Sequence, residues 1–230
     1  MTGPMHRHFH DALAALKTRL LQMSSDVQGA LGLALEALEE RNATKAEAVI
    51  AGDRDIDHRE MEIEEAVISL LATQQPMAGD LRLLMAAMKI SNDLERVGDH
   101  AVNIAQSAQR LLTLPQMPVV PDLAESARHA RRMLADALEA FIKGDGAAAR
   151  AVCRRDDTVD ALHRAVFRIA ITHMMEDPRT ITAGMELVLV SRNLERVADL
   201  ATNIAEDVVF LAEGRSIKHG AEAGAPGERP

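Results

Sequence analysis

"LERVGDHAVNIA", at Leu94–Ala105, returns as "LERVADLATNIA" at Leu194–Ala205. Extended back to Ser91 and Ser191, the two stretches share ten of fifteen positions at an offset of 100; random matching gives about one. Both carry apolar residues at helical spacing, Leu94, Val97, Ala101 and Ile104 in the first copy. A helix does not need this wording to fold, so the repetition points to an internal duplication with a shared purpose.

Working outward, apolar residues recur at the same spacing almost throughout, and breakers divide them into six long helices. The first is expected over about 9–41. Thr44 with Glu47 reads as a capping box opening the second, which runs to about 74. The third starts at Pro76 and ends near 114. "PQMPVVPD", with Pro115, Pro118 and Pro121, cannot continue a helix and leads to Asp122 as an N-cap. The fourth then runs to Gly144, the fifth to about 175, and the sixth, with Pro178 near its start, to Gly214. Three helices before the proline seam match three after it. The expected architecture is all-α, two tandem three-helix bundles over 9–114 and 122–213, with a Gly-rich, flexible tail over 214–230.

Composition agrees. Hydrophobic residues make up 47% of the 230, yet Trp and Tyr are absent and Phe occurs only four times. The core is therefore built from Leu, Ile, Val, Ala and Met, the good helix formers among apolar residues. A net charge of -9 and the lack of aromatic platforms argue against nucleic acid as a partner. Cys153 is the one cysteine, which leaves no intramolecular disulfide and too few thiols for structural zinc. No stretch is apolar enough for a signal peptide or a bilayer span, so the cytoplasm is the expected location, without direct membrane insertion. Gly-rich phosphate loops and nucleophile elbows are also missing, which weighs against a nucleotide enzyme or a hydrolase.

Chemistry resides in the acids. Residues four apart share a helix face, so Glu95, Asp99 and Asn103 form one polar stripe, as do Glu195, Asp199 and Asn203. Six acidic pairs occur at this spacing, close to the number random placement produces, but four of them match across the duplication. These are Asp53/Asp57 and Glu95/Asp99 in the first half, Asp156/Asp160 and Glu195/Asp199 in the second. Two such pairs facing each other repel unless something compensates. A multivalent cation held by carboxylate oxygens is one answer; ion pairs with Arg96 and Arg196 are the other. No histidine lies three residues after a glutamate, so the ligand pair of ferritin-like redox centres is missing. One near approach is Asp160-x-x-His163.

"QQPMAGDLR" at 74–82, followed by "NDLERVGDHAVNIA" and "RNLERVADLATNIAED", resembles the PhoU family of bacterial phosphate-specific transport systems. The resemblance covers about 9–213. It implies a cytoplasmic, often homodimeric regulator of phosphate uptake and signalling. Such a protein links the phosphate ABC transporter, through its ATPase subunit, to a sensor histidine kinase, and keeps the phosphate-starvation response off when phosphate is ample. The resemblance further implies metal clusters, of Mg, Mn, Fe or Zn ions, on the paired acids Asp53, Asp57, Glu95 and Asp99, and again on Asp156, Asp160, Glu195 and Asp199. The Gly98-Asp99-His100 triplet of the first copy becomes Ala198-Asp199-Leu200 in the second, a departure that spares the carboxylate. Two competing readings are a carboxylate-bridged metalloenzyme, which oxidase or phosphatase assays on metal-loaded protein address, and a purely structural scaffold with solvated acids, which elemental analysis addresses.

Overall fold

The computed structural model describes residues 4–118, 120–215 and 217, and all its regular elements are helical. The helices are α1 (Pro4–Glu39), α2 (Ala43–Thr73), α3 (Ala78–Leu111), α4 (Pro121–Lys143), α5 (Gly146–Cys153), α6 (Asp156–Glu176) and α7 (Ile181–Glu213). The expected six helices are present, with the fifth broken into α5 and α6. Most of the expected flexible tail lies outside the described residues.

Helix ends depart from the expected caps for local reasons. Asn42, not Thr44, caps α2: its Oδ1 accepts from the Lys45 N–H at 3.1 Å. Asn is the stronger cap, and it satisfies one of the donors orphaned at a helix start. Pro121 occupies the first turn of α4, so Asp122 lies inside the helix, where its charge suits the positive end of the dipole. Pro76 lies ahead of α3, whose N-cap Met77 is extended, and Pro178 opens a short 3-10 turn before α7. The break between α5 and α6 has no glycine or proline to announce it. Arg155 turns there, its guanidinium 2.7 Å from Asp136 on α4, and Asp156 and Asp157 become the acidic first turn of α6. Gly144 and Gly214 end α4 and α7 in the left-handed region, at φ 65° and 69°.

Each half is an up-down-up bundle, and the halves join through α3 and α7. On α1 the buried face follows a near-heptad rhythm, Leu13, Leu16, Leu20, Met23, Val27 and Leu31. The repeated stretches lie on the two central helices, which face their own bundle on one side and the other half on the other. That double burial explains their small residues: Ala101, Ala105, Ala201 and Ala205 are wholly buried and let the backbones approach. Two ion pairs cross the seam, Lys89–Asp207 at 3.4 Å and Arg110–Glu186 at 2.7 Å. They lie 21 residues apart on each helix, in opposite directions, so α3 and α7 run antiparallel with Gly98 level with Ala198. A pseudo-two-fold axis passes near that point.

The Gly-to-Ala departure in the second copy is matched by its neighbour. A Cβ on Gly98 would meet the Ile56 side chain of α2 at 3.3 Å. The residue equivalent to Ile56 in the second half is Val159, buried like Ala198. Ile with Gly and Val with Ala carry the same number of side-chain carbons, so each half fills the same space differently. Ile56→Val alone is expected to cost about 1 kcal/mol. In a Gly98→Ala background it should cost nothing, a coupling of about 1 kcal/mol measured by a double-mutant cycle in urea. Strictly additive effects would show that the two positions do not share this space.

Candidate functional site

The α2/α3 and α6/α7 pairs each bring their acids onto one face. In the first half Glu95, half-buried, feels the charges of Asp99, Glu60, Asp57 and Asp53, and with burial as the leading cause its carboxyl is pushed up to about 7. Asp53 is raised as well, by burial and then by Asp57 and Asp99. All four expected acids of this half therefore act on one another, with Asp99 the most exposed. Glu60, one turn beyond Asp57, is a fifth member; its Oε1 accepts from Asn92 Nδ2 at 3.2 Å. Its i,i+4 partner Glu64 has no counterpart in the other half, so internal comparison alone could not select it.

Arg96 does not neutralise this cluster. Its nearest carboxylate is Asp93, at 3.8 Å on its own helix. The opposite holds in the second half, where Arg196 Nη1 donates to Asp199 Oδ2 at 2.9 Å. The compensation left open by the sequence is thus answered differently in the two copies: by an ion pair in the second, by none of the arginines in question in the first.

Asp156 is the perturbed acid of the second half. Burial, then Asp199, Asp160 and Asp157, raise it to about 6, against a lowering contribution from the Thr202 hydroxyl. Asp156 Oδ1 and Thr202 Oγ1 are buried without a well-formed hydrogen bond. Glu195 is half-buried on α7 in the place of Glu95, but it is not among the charges that shift Asp156. His163 is turned to α7 instead of joining Asp160 in an evident ligand pair: its Nδ1 lies 2.9 Å from Ser191 Oγ.

A cavity of about 300 Å3 opens beside Asp156 and Asp199, lined also by Arg96, Arg196, Asn203 and His100. His100 comes from the first repeat. Its Nδ1 lies 2.9 Å from Asn193 Oδ1, and Asn193 Nδ2 donates to Leu189 O, so the Asn oxygen accepts and His100 carries its proton on Nδ1. Burial leads in holding this imidazole below its ordinary range, which favours the neutral form with a lone pair on Nε2. The signal for His100 in the sequence was its place directly after Asp99, but only the antiparallel packing of α3 on α7 takes it to the other half's acids.

As donors, these groups suit a hard cation: they are oxygens, crowded and mutually repelling. As placed, no three His, Cys, Asp or Glu side chains among the described residues stand together in an arrangement that could hold an ion. Coordination of an ion would therefore require rotation of the half-exposed carboxylates, with some loss of rotamer entropy.

Fold and site together define an internally duplicated helical bundle that carries one coupled carboxylate cluster per repeat. The PhoU domain model matches it twice, over residues 20–108 and 123–208. The chain belongs to the PhoU family. It is 41% identical over 207 residues to a phosphate-specific transport system accessory protein PhoU homolog of Aquifex aeolicus, covering 90% of this chain and 94% of the other. Against the accessory protein PhoU of Escherichia coli the identity is 33%, over 92% and 88% of the two chains. The crystal structure of PhoU from Pseudomonas aeruginosa superposes with a TM-score of 0.87 at 34% identity, over 90% of this chain and all, 100%, of that one. That of the phosphate transport system regulatory protein PhoU from Streptococcus pneumoniae gives 0.84 at 30% identity, over 91% and 99%. No helix among the described residues is long and apolar enough to cross a membrane.

Proposed function

We propose that this chain is a non-enzymatic, cytoplasmic regulator of phosphate uptake, acting between the phosphate ABC transporter and a sensor histidine kinase to hold the phosphate-starvation response off. The observation that carries the reading is the match of both repeats to one family whose members are named as accessory and regulatory proteins of phosphate transport. In this reading the protein touches the transporter through its ATPase subunit, works as a homodimer, and holds Mg, Mn, Fe or Zn on its acidic faces. Glu95, Asp99, Asp53 and Asp57 would hold the ion in the first half, and Asp156, Asp160, Glu195 and Asp199 in the second. A bound cation would supply there the positive charge that Arg96 does not. The metal-free cluster of the first half is electrostatically unbalanced, which is what supports this part of the reading.

The test is a deletion in the natural host with a starvation-responsive reporter. In phosphate-rich medium the reporter is expected to switch on in the deletion and to fall silent when the wild-type chain is restored. A reporter that stays off in the deletion would defeat the regulatory reading. Light scattering on the purified chain checks the homodimer.

A further inference from the structure

Large hydrophobic side chains are exposed at thirteen places among the described residues, and eleven of these lie on α2, α3, α6 and α7 or in the turn before α3. Helices α1 and α4 contribute one each, Leu21 and Ile142. The uneven distribution follows the duplication. The Asn92–Glu60 hydrogen bond and the seat of Ile56 against Gly98 set the α2/α3 register, which puts Ile68 level with Met85. The His163–Ser191 contact does the same for α6 and α7, and puts Ile171 level with Met185. Ile171 answers to Ile68 at the offset that relates Asp156 to Asp53, and Met185 answers to Met85 at the offset of the central repeat. The same Ile–Met pair therefore stands in water in both halves, at 53% and 38% exposure in the first and 38% and 50% in the second.

One such patch is unremarkable on a protein surface; the same pair twice, on two adjacent helices each time, marks a surface that something covers. Methionine in it suits a partner of variable shape. Each patch also runs into its own acidic cluster. From Met85 to Asp99 is fourteen residues of α3, or about 21 Å, the length of a short docking helix. An anionic membrane or a nucleic acid would be repelled by the clusters and by the net charge of -9. A helix with an apolar face and basic residues at one end matches both parts. Since the two patches are related by the pseudo-two-fold axis near Gly98 and Ala198, a single chain offers that helix two equivalent sites.

We propose that each repeat, when its acids hold no metal, docks a cationic amphipathic helix, Ile68 and Met85 in one half and Ile171 and Met185 in the other seating its apolar face and the adjacent carboxylates its basic end. One chain thereby engages both copies of such a helix in a two-fold symmetric protein partner. The proposal rests on the docking role given above and names its surface, stoichiometry and partner chemistry.

The probe is a synthetic amphipathic peptide of about 18 residues, leucines on one face and lysines grouped at one end, made in both polarities and titrated by calorimetry into the full-length chain in chelator. Two peptides of one polarity are expected to bind per chain, at least tenfold more weakly at high salt. Met85→Glu and Met185→Glu should each leave one site, and the double variant none. Ile68→Gln with Ile171→Gln should weaken both sites without a new charge, and thermal melts within a few degrees of wild type confirm that all variants fold. A single site, equal binding of a glutamate version of the peptide, or binding that survives the double Glu variant overturns the proposal. So does a chain dimer in light scattering that the double variant converts to monomer, since the patch then belongs to a second copy, or capture by phosphatidylglycerol vesicles that the double variant loses. If the peptides fail while the deletion still derepresses the reporter, this surface is wrong and the regulatory role stands.

Discussion

Replacing Glu95 and Asp99 together by alanine is expected to leave the metal-free protein at least as stable as wild type at pH 8, and to abolish the thermal gain expected from Mn2+ in the first half. The reason is the direction of the shift on Glu95. Its folded value of about 7 lies above the ordinary range of a free glutamate, so the folded state holds the proton more tightly. Stability from this group is full below about pH 4.3 and is lost as pH rises through the folded value of about 7. Asp156 adds a second loss over a lower window that closes at about 6. At pH 8 both are ionised among like charges, and removing those charges relieves the repulsion. Because Glu95 is partly open to water, the relief is discounted to about 1 kcal/mol.

A cation reverses the balance. In the proposed reading it would bind the ionised cluster, so its affinity should climb through pH 6 to 7 with release of protons. At a hundredfold excess over Kd it adds about 2.7 kcal/mol, which is about 5–10 °C in Tm for a chain of this size. The double variant should lose that gain for the first half, while the second half keeps its own through Asp156, Asp160, Glu195 and Asp199. Gln and Asn at 95 and 99 separate charge from helix preference. Scanning calorimetry of chelator-stripped protein with Mg2+, Mn2+, Fe2+ and Zn2+ decides it. A wild type that responds to none of the four, with a double variant that melts lower, would mean the acids are an ordinary solvated face.

Arg110→Ala should weaken the seam between the halves. Glu186 has a side chain only 12% exposed, and the Arg110 Nε donates to its Oε1 at 2.7 Å. Truncation leaves that carboxylate without this partner in a poorly hydrated place. Breaking a fully buried pair from one side costs about 3–5 kcal/mol; Arg110 is half-exposed, so water can reach the gap and about 2 kcal/mol is expected. The melt should fall by about 4–8 °C. Replacing both partners, as Arg110→Met with Glu186→Leu, should recover the loss, because a well-packed apolar pair avoids the desolvation that the ion pair suffers. The duplication already contains that experiment: the two-fold mates of Arg110 and Glu186 are Phe210 and Ala86, an apolar pair at the other end of the seam. A double variant no more stable than Arg110→Ala would show that the charges themselves fix the register.

Helical periodicity, the proline seam and the ten repeated positions determined the fold class and the pairing of the acids from the sequence by itself. These are local signals: a 3.6-residue period and an N-terminal proline depend on neighbours in the chain, and a duplication copies both. The break between α5 and α6 escaped because no residue there forbids a helix; the turn is favoured by the contact of Arg155 with Asp136, distant in sequence. Only the tertiary structure decided that Arg196 spends its charge on Asp199 whereas Arg96 does not reach Asp99, for identical motifs sit in different company once α3 and α7 pack antiparallel. That packing alone carried His100 to the second half's acids and set the exposed Ile–Met pairs about the pseudo-two-fold axis. Which side of a helix meets water is written in its periodicity. Which charges meet across a seam depends on register, and register is a sum over many distant contacts that no single stretch of chain contains.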